Sequence, residues 1–239
     1  MKMAIRVFPD LPALNRAVLQ EIDRLIGEAV SQRGRFAIAL SGGHTPAELY
    51  ALWANRDQSS TPWDRIHLFW GDERYVPSDD PLSNYRMTRE TLISHVPIPA
   101  ANVHRVRTDL PTPEEAAADY EAALRSFFGS APPQFDVQLQ GIGDEGHTAS
   151  LFPGSPALEE KKRWVMAVVA PANPPRRLSL TPVVLNQGRN TFFLVAGAGK
   201  KEIIQKLREE PEGKPSAYPA RQLQPSGVVT WFLDQSAAG

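Results

Sequence analysis

Four stretches of the chain set glycine beside side chains able to do chemistry: Ser41-Gly42-Gly43-His44-Thr45, Gly71-Asp72-Glu73-Arg74, Gly141-Ile142-Gly143-Asp144-Glu145-Gly146-His147 and Gly197-Ala198-Gly199-Lys200. In the third, an imidazole follows two carboxylates in a glycine-flexed turn, which suits acid/base work, because a carboxylate fixes the tautomer of a histidine and raises its basicity. Asp72 and Arg74 add a second acid and a cation. In the first, paired glycines lead into a helix start, where approaching backbone N–H groups and the helix dipole favour an anion such as phosphate. Lys200 and either Arg176 or Arg177 are available as counter-charges. The plain alternative for each glycine is a tight strand-to-helix turn.

Other chemistries are disfavoured by the same residues. Gly141, Gly143 and Gly146 match G-x-G-x-x-G, but Asp144 and Glu145 would repel a pyrophosphate, and Pro153 comes too soon for the long helix of a dinucleotide site. Gly199-Lys200 is not a Walker A loop, since Leu194 stands where the first glycine belongs and Lys201 where Ser or Thr is required. There is no G-x-S-x-G elbow. Zero Cys removes thiolate nucleophiles, thiolate metal sites and disulfides together. His67, His95 and His104 share no metal-ligand spacing and read as structural. No metal and no cofactor is expected.

These turns need a frame, and the chain supplies one. Short β-type runs alternate with helical patterns: Ile5 to Phe8, a helix near Asp10 to Gln32, Phe36 to Leu40, a helix from Pro46, Ile66 to Trp70, and a helix near Asn84 to Ser94. A helix from Thr112 to Phe128 then precedes strands at Phe135 to Leu139 and Thr191 to Ala196, with a last helix over Lys200 to Arg208. The rhythm predicts an α/β fold, an open and mostly parallel sheet with helices on both faces. Each of the four chemical stretches follows a strand, so all four gather at the carboxyl edge of that sheet, where ligands bind at a switch in strand order. Thr45-Pro46-Ala47-Glu48 and Thr112-Pro113-Glu114-Glu115 each predict a capping Thr, a Pro in the first helical position and a Glu in the third.

With 239 residues the chain reads as one domain over 1–239, the Pro171 to Pro175 stretch as an internal loop and 235–239 as a frayed tail. A net charge of −1, from 26 Lys+Arg against 27 Asp+Glu, argues against a nucleic-acid partner. No apolar run is long enough for a membrane span and no signal-peptide core is present, so a cytoplasmic protein is expected.

Taken together, Ser41-Gly-Gly-His-Thr-Pro, Gly71-Asp-Glu-Arg, Ser83-Asn84-Tyr85, Gly146-His147-Thr-Ala-Ser-Leu-Phe-Pro153 and Pro174-Pro-Arg-Arg-Leu-Ser-Leu-Thr181 resemble the 6-phosphogluconolactonase family, in its order, from about residue 36 to 200. Single elements are shared with the related glucosamine-6-phosphate deaminases. The resemblance implies a sugar-phosphate isomerase-like (Rossmann-like) fold and metal-free hydrolysis of 6-phosphoglucono-1,5-lactone in the pentose phosphate pathway. It implies His147 as general base, with Glu145, Asp72 and Arg74 as further catalytic candidates. Ser41, Gly42, Gly43, His44, Thr45, Asn84, Arg177 and Lys200 become the substrate-binding candidates, Arg177 being favoured over Arg176 because it directly precedes Leu-Ser-Leu-Thr. The partner is a small phosphorylated sugar lactone, and the chain is expected to be a monomer or weak homodimer.

The family usually has Asp two residues before the histidine; here that place is Glu145, with an Asp at 144, and which of the two supports His147 is open. Gln138 and Gln140 are more polar than the strand the family favours there. Two alternative readings are weaker. A deaminase would carry Asn-Glu after the histidine and an aromatic at Arg74, and a sugar-phosphate sensor would have a helix-turn-helix segment before Ile5.

Overall fold

In a computed structural model that describes residues 4–211 and 216–239, the chain begins β1 (Ala4–Phe8), α1 (Leu11–Arg33), β2 (Phe36–Leu40), α2 (His44–Ala54), β3 (Ile66–Trp70), β4 (Asp72–Arg74), α3 (Asn84–Thr91) and α4 (Pro113–Phe128). It continues β5 (Val137–Gln140), β6 (Val165–Val169), β7 (Arg176–Leu180), α5 (Pro182–Leu185), β8 (Asn190–Val195), α6 (Lys201–Glu209), α7 (Pro219–Gln222), β9 (Val228–Asp234) and α8 (Gln235–Ala238).

Among the described residues, one sheet has the order β1-β9-β8-β5-β2-β3, with every neighbouring pair parallel. Parallel sheets are covered on both faces, so β2 can be an uninterrupted apolar run, and all its residues are buried. Its period-two alternation sends Ile38 and Leu40 toward α1 and α2, where Leu14, Val18, Ile22, Leu49 and Tyr50 pack. Ala37 and Ala39 face the other way, against Ala116, Tyr120 and Leu124 of α4. The expected α/β architecture is present. Strand order reverses between β2 and β5, since β3 lies outside β2 on one side while β8 and β9 lie beyond β5 on the other. The carboxyl ends of those two strands, Ser41-Gly42 and Gly141 to Gly143, open the crevice of such a switch. No helix among the described residues is long and apolar enough to cross a membrane.

Four details differ from the sequence reading. A second, antiparallel sheet, β4-β7-β6, packs beside the first. β4 has three residues, too few to show a period, and the two arginines of β7 disguise its alternation; Arg176 and Arg177 therefore lie on a strand, not in a loop.

Helix α2 begins at His44, so Thr45 is not its cap. Gly43, at φ 103°, turns the chain earlier, and Ala47 N–H donates to Gly43 O at 3.1 Å. Thr112 does cap α4, accepting from Glu115 N–H at 3.1 Å.

β5 starts at Val137, although Phe135 is buried just ahead of it. Finally, 235–239 is not frayed: Asp234 accepts from Ala237 N–H at 2.7 Å, and the short helix α8 buries Ala237.

Candidate active site

The crevice is a cleft of about 210 Å³, lined by the turns that follow β2 and β5, by β4 and β7, by the start of α3 and by the turn before α6. His147 enters it from the loop after β5. That loop is closed by Gly143 N–H donating to His147 O at 3.0 Å and Gly146 N–H donating to Gly143 O at 2.9 Å. The imidazole stacks on Phe152, with ring centroids 4.1 Å apart. It lies so close over Gly143 that a Cβ there would fall 1.9 Å from His147 Nδ1. Gly146, at φ 80°, is pressed against the Tyr218 ring.

The two carboxylates part company. Glu145 Oε2 is 3.1 Å from His147 Nδ1, at ion-pairing distance but off the line of a hydrogen bond, which leaves the buried Nδ1 free of any other partner. Asp144, with a side chain 83% exposed, turns outward and accepts from Lys200 Nζ at 2.7 Å. Lys200 also lines the cleft.

β4 and β7 build the opposite wall. Buried Asp72 accepts from Ser150 Oγ at 2.7 Å, and its carbonyl accepts from Asn84 Nδ2 at 2.9 Å. Arg74 donates to Leu82 O at 2.7 Å and sits across from Arg177, which donates to Pro174 O at 3.1 Å. Burial, then the neighbouring Arg74 charge, lowers the Arg177 guanidinium from its usual range, with Asp72 and Glu145 pulling the other way. Arg176 is exposed and lies over the Tyr75 ring.

Of the first stretch, Ser41 and Gly42 line the cleft. Gly42 is bare because Asn84 occupies the space of a side chain: a Cβ would fall 1.9 Å from Asn84 Oδ1. Tyr50 OH holds the backbone of Ser41 through both its N–H and its carbonyl. Gly43 and Thr45 lie behind Gly42 and do not line the cleft. His44 points away, 83% exposed and 3.4 Å from Glu48. Helix α2 carries no side-chain cap, whereas Asp10, Ser83 and Thr112 cap α1, α3 and α4. Its unpaired N–H groups and dipole thus remain open beside Gly42.

Glu73 escaped the sequence reading. Fully buried, it accepts from Arg74 N–H and Asn84 N–H at 2.7 Å on one oxygen, and from Tyr85 N–H at 2.7 Å and Ser83 Oγ at 3.2 Å on the other. It thereby ties β4 to the start of α3 and places both Arg74 and Asn84. Burial pushes its carboxyl up to about 7 against the pull of those N–H groups. Nothing local in Gly-Asp-Glu-Arg signals a partner ten residues downstream.

Among the described residues, no group of three or more His, Cys, Asp or Glu is arranged to hold a metal ion. His67 of β3 and His104, in the loop beside it, instead pair with each other, Nδ1 to Nε2 at 3.2 Å.

Residues 9–231 match the family model described as glucosamine-6-phosphate isomerases/6-phosphogluconolactonase. The chain belongs to this family. A 6-phosphogluconolactonase of Nostoc sp. is 43% identical over 240 aligned positions, covering 99% of this chain and 98% of the relative. Its counterpart in Mycobacterium tuberculosis is 38% identical over 248 aligned positions, covering 100% and 98%. Among solved structures, the 6-phosphogluconolactonase of Trypanosoma brucei superposes with a TM-score of 0.85 at 32% identity, covering 99% of this chain and 98% of that one. A monomeric glucosamine-6-phosphate deaminase shares the fold at 22% identity, with a TM-score of 0.81 over 99% of each chain.

Proposed function

We propose that this chain hydrolyses 6-phospho-D-glucono-1,5-lactone to 6-phosphogluconate, with His147 as the general base. The observation that carries the reading is the convergence, in one cleft, of a carboxylate-paired imidazole with Arg74, Arg177 and Lys200. A lactone needs a water made nucleophilic, a stabilised oxyanion and a protonated leaving oxygen. His147 takes a proton from water as the water oxygen bonds to the carbonyl carbon. The tetrahedral oxyanion collapses, the bond to the ring oxygen breaks, and the imidazolium returns its proton to that oxygen. Glu145 beside Nδ1 favours the tautomer protonated there, leaving Nε2 to accept, and stabilises the imidazolium.

The dianionic phosphate is held by Arg177, Lys200 and the turn at Ser41 and Gly42, beside the open N-terminus of α2. Asn84 and Arg74 orient the sugar hydroxyls, and Asp72 keeps this wall in place through Ser150. Phosphate binding energy supplies the orientation of the carbonyl over the imidazole. A monomer or weak homodimer in the cytoplasm remains part of this reading.

Proton release from freshly prepared lactone, followed beside ammonia release from glucosamine-6-phosphate, tests the reading. Acceleration of the first above the spontaneous rate with none of the second is expected. Ammonia release without lactone hydrolysis would overturn it.

A further inference from the structure

The loop that carries His147 begins on β5, whose sequence Val-Gln-Leu-Gln is unusual for a strand at the centre of a covered sheet. Val137 and Leu139 enter the core with α1 and α2, so Gln138 and Gln140 point to the opposite face. Both amides are buried, and a buried amide costs stability unless it is bonded. Gln138 donates to Val184 O at 3.3 Å. Gln140, 1% exposed, leaves its Nε2 without a partner. Among the described residues its side chain makes one hydrogen bond, from Thr148 Oγ1 to Gln140 Oε1 at 2.8 Å. Gln140 therefore does not satisfy itself; what it does is hold the residue after His147.

That residue is where the loop is fastened back to the sheet. Between Gly141 and Thr148 lie two glycines and two internal backbone bonds. Thr148 is fully buried, and its hydroxyl also lies 2.9 Å from Gly141 O. Ala149 follows in the left-handed region at φ 49°, and Ser150 is bonded to Asp72. A non-glycine residue stays in that region only when its surroundings hold it there. The fastening of Thr148 and Ser150 on either side is such a hold.

We infer that Gln140 is a positioning residue which, through Thr148, fixes the His147 imidazole over the cleft. This rests on the reading of His147 as base. Gln140 touches no substrate; it acts by tying the loop to a rigid strand.

Gln140→Leu and Thr148→Val each remove the bond at nearly constant volume. Measured per folded molecule, each should lower kcat by about 5- to 30-fold with little change in KM, because small misplacements of a catalytic group are costly in rate. Thr148→Val also loses the contact with Gly141 O and should be the poorer single, and the double variant should be no worse than it, since the Thr148–Gln140 bond is already absent in either single. Thr148→Ser, which keeps the hydroxyl, should recover most of the activity. Gln138→Leu, equally buried on the same strand but bonded elsewhere, should lower stability without lowering kcat. The imidazole nitrogen resonances of His147 should move in Gln140→Leu and stay in Gln138→Leu.

Wild-type kcat and unmoved His147 resonances in folded Gln140→Leu overturn the inference, as does a multiplied loss in the double variant. If Gln140→Leu does not fold, the contrast between Thr148→Val and Thr148→Ser decides, and equal activity in those two overturns it. If His147→Gln keeps full turnover, the base assignment fails instead, while the His147 resonances still report whether Gln140 positions the ring.

Discussion

Arg74 and Arg177 stand directly opposite each other across the β4–β7 pair. Like charges in that relation are destabilising, and here both guanidiniums face a cleft instead of open solvent. Arg177→Gln is expected to raise KM for the phosphorylated lactone by about 10-fold or more, while the melting temperature holds or rises, because the lost contact is charge-assisted and the lost repulsion is not compensated by the fold. Arg176→Gln, on the exposed side of the strand, should leave KM alone. Steady-state kinetics with thermal melts check both.

His147→Gln should lower kcat by at least about 10²-fold with the melting temperature nearly unchanged, since a positioned base contributes that much and the ring's packing on Phe152 is only partly lost. Near-normal turnover would remove His147 from the mechanism.

The carboxylates at 144 and 145 should separate cleanly. Glu145→Gln removes the group beside the imidazole and is expected to cost roughly 10-fold in kcat, a moderate figure because the Glu145 side chain is 45% exposed. Asp144→Asn removes only an exposed partner of Lys200 and should stay within about twofold. The reverse order would place the supporting carboxylate at Asp144.

Gly143→Ala tests the packing of the loop. Its cost is steric and falls on the imidazole and the Glu145 carboxylate, 1.9 and 2.6 Å from the added Cβ. Activity should drop by about the same 10²-fold as removing the base, because the ring must leave its place. Gly27→Ala, inside α1 with nothing within 4 Å of the added Cβ, should stabilise by roughly 0.5–1 kcal/mol and leave turnover intact.

His67 and His104 give a pH dependence of stability. Burial, then the neighbouring His67, pushes His104 down to about 4, and burial, then Arg35, lowers His67. Between about pH 4 and 6.5 the unfolded chain therefore binds more protons at this pair than the fold does, so its contribution is full above pH 6.5 and is lost as pH falls. Glu73, raised to about 7, acts with the opposite sign as pH rises from 4.5. The measurement is thus a difference: His104→Phe, which keeps the stacking on Phe69, should flatten the loss of melting temperature between pH 7 and 5.

What could be seen in the sequence and what could not follow from the range of the forces involved. β2 and its glycine turn were legible because a covered parallel strand is apolar throughout and a bare turn needs glycine. The caps at Thr45 and Thr112 carry the same local pattern, yet only the second holds, because the backbone of Gly43 turns first. β4 is too short to have a period, and Glu73 is defined wholly by a helix start ten residues away. Only the family resemblance singles out Arg177; its burial beside Arg74 depends on a strand pairing across about a hundred residues of chain, which no local pattern encodes.

The pairing of β1 with β9 sets the order in which this molecule becomes whole. Ala4 finds its partner in Thr230 and Phe8 in Asp234, so the strand synthesised first has no sheet to join until the strand synthesised late has left the ribosome. Contacts of such separation form slowly, and an unpaired strand is exposed to wrong partners meanwhile. The loop of His147 waits on the same stretch, since Ala220 N–H closes onto Gly146 O at 3.0 Å. A nascent chain halted before residue 216 would hold β2, β5 and the imidazole already in existence, and would still lack both the edge of its sheet and the brace of the turn that carries His147.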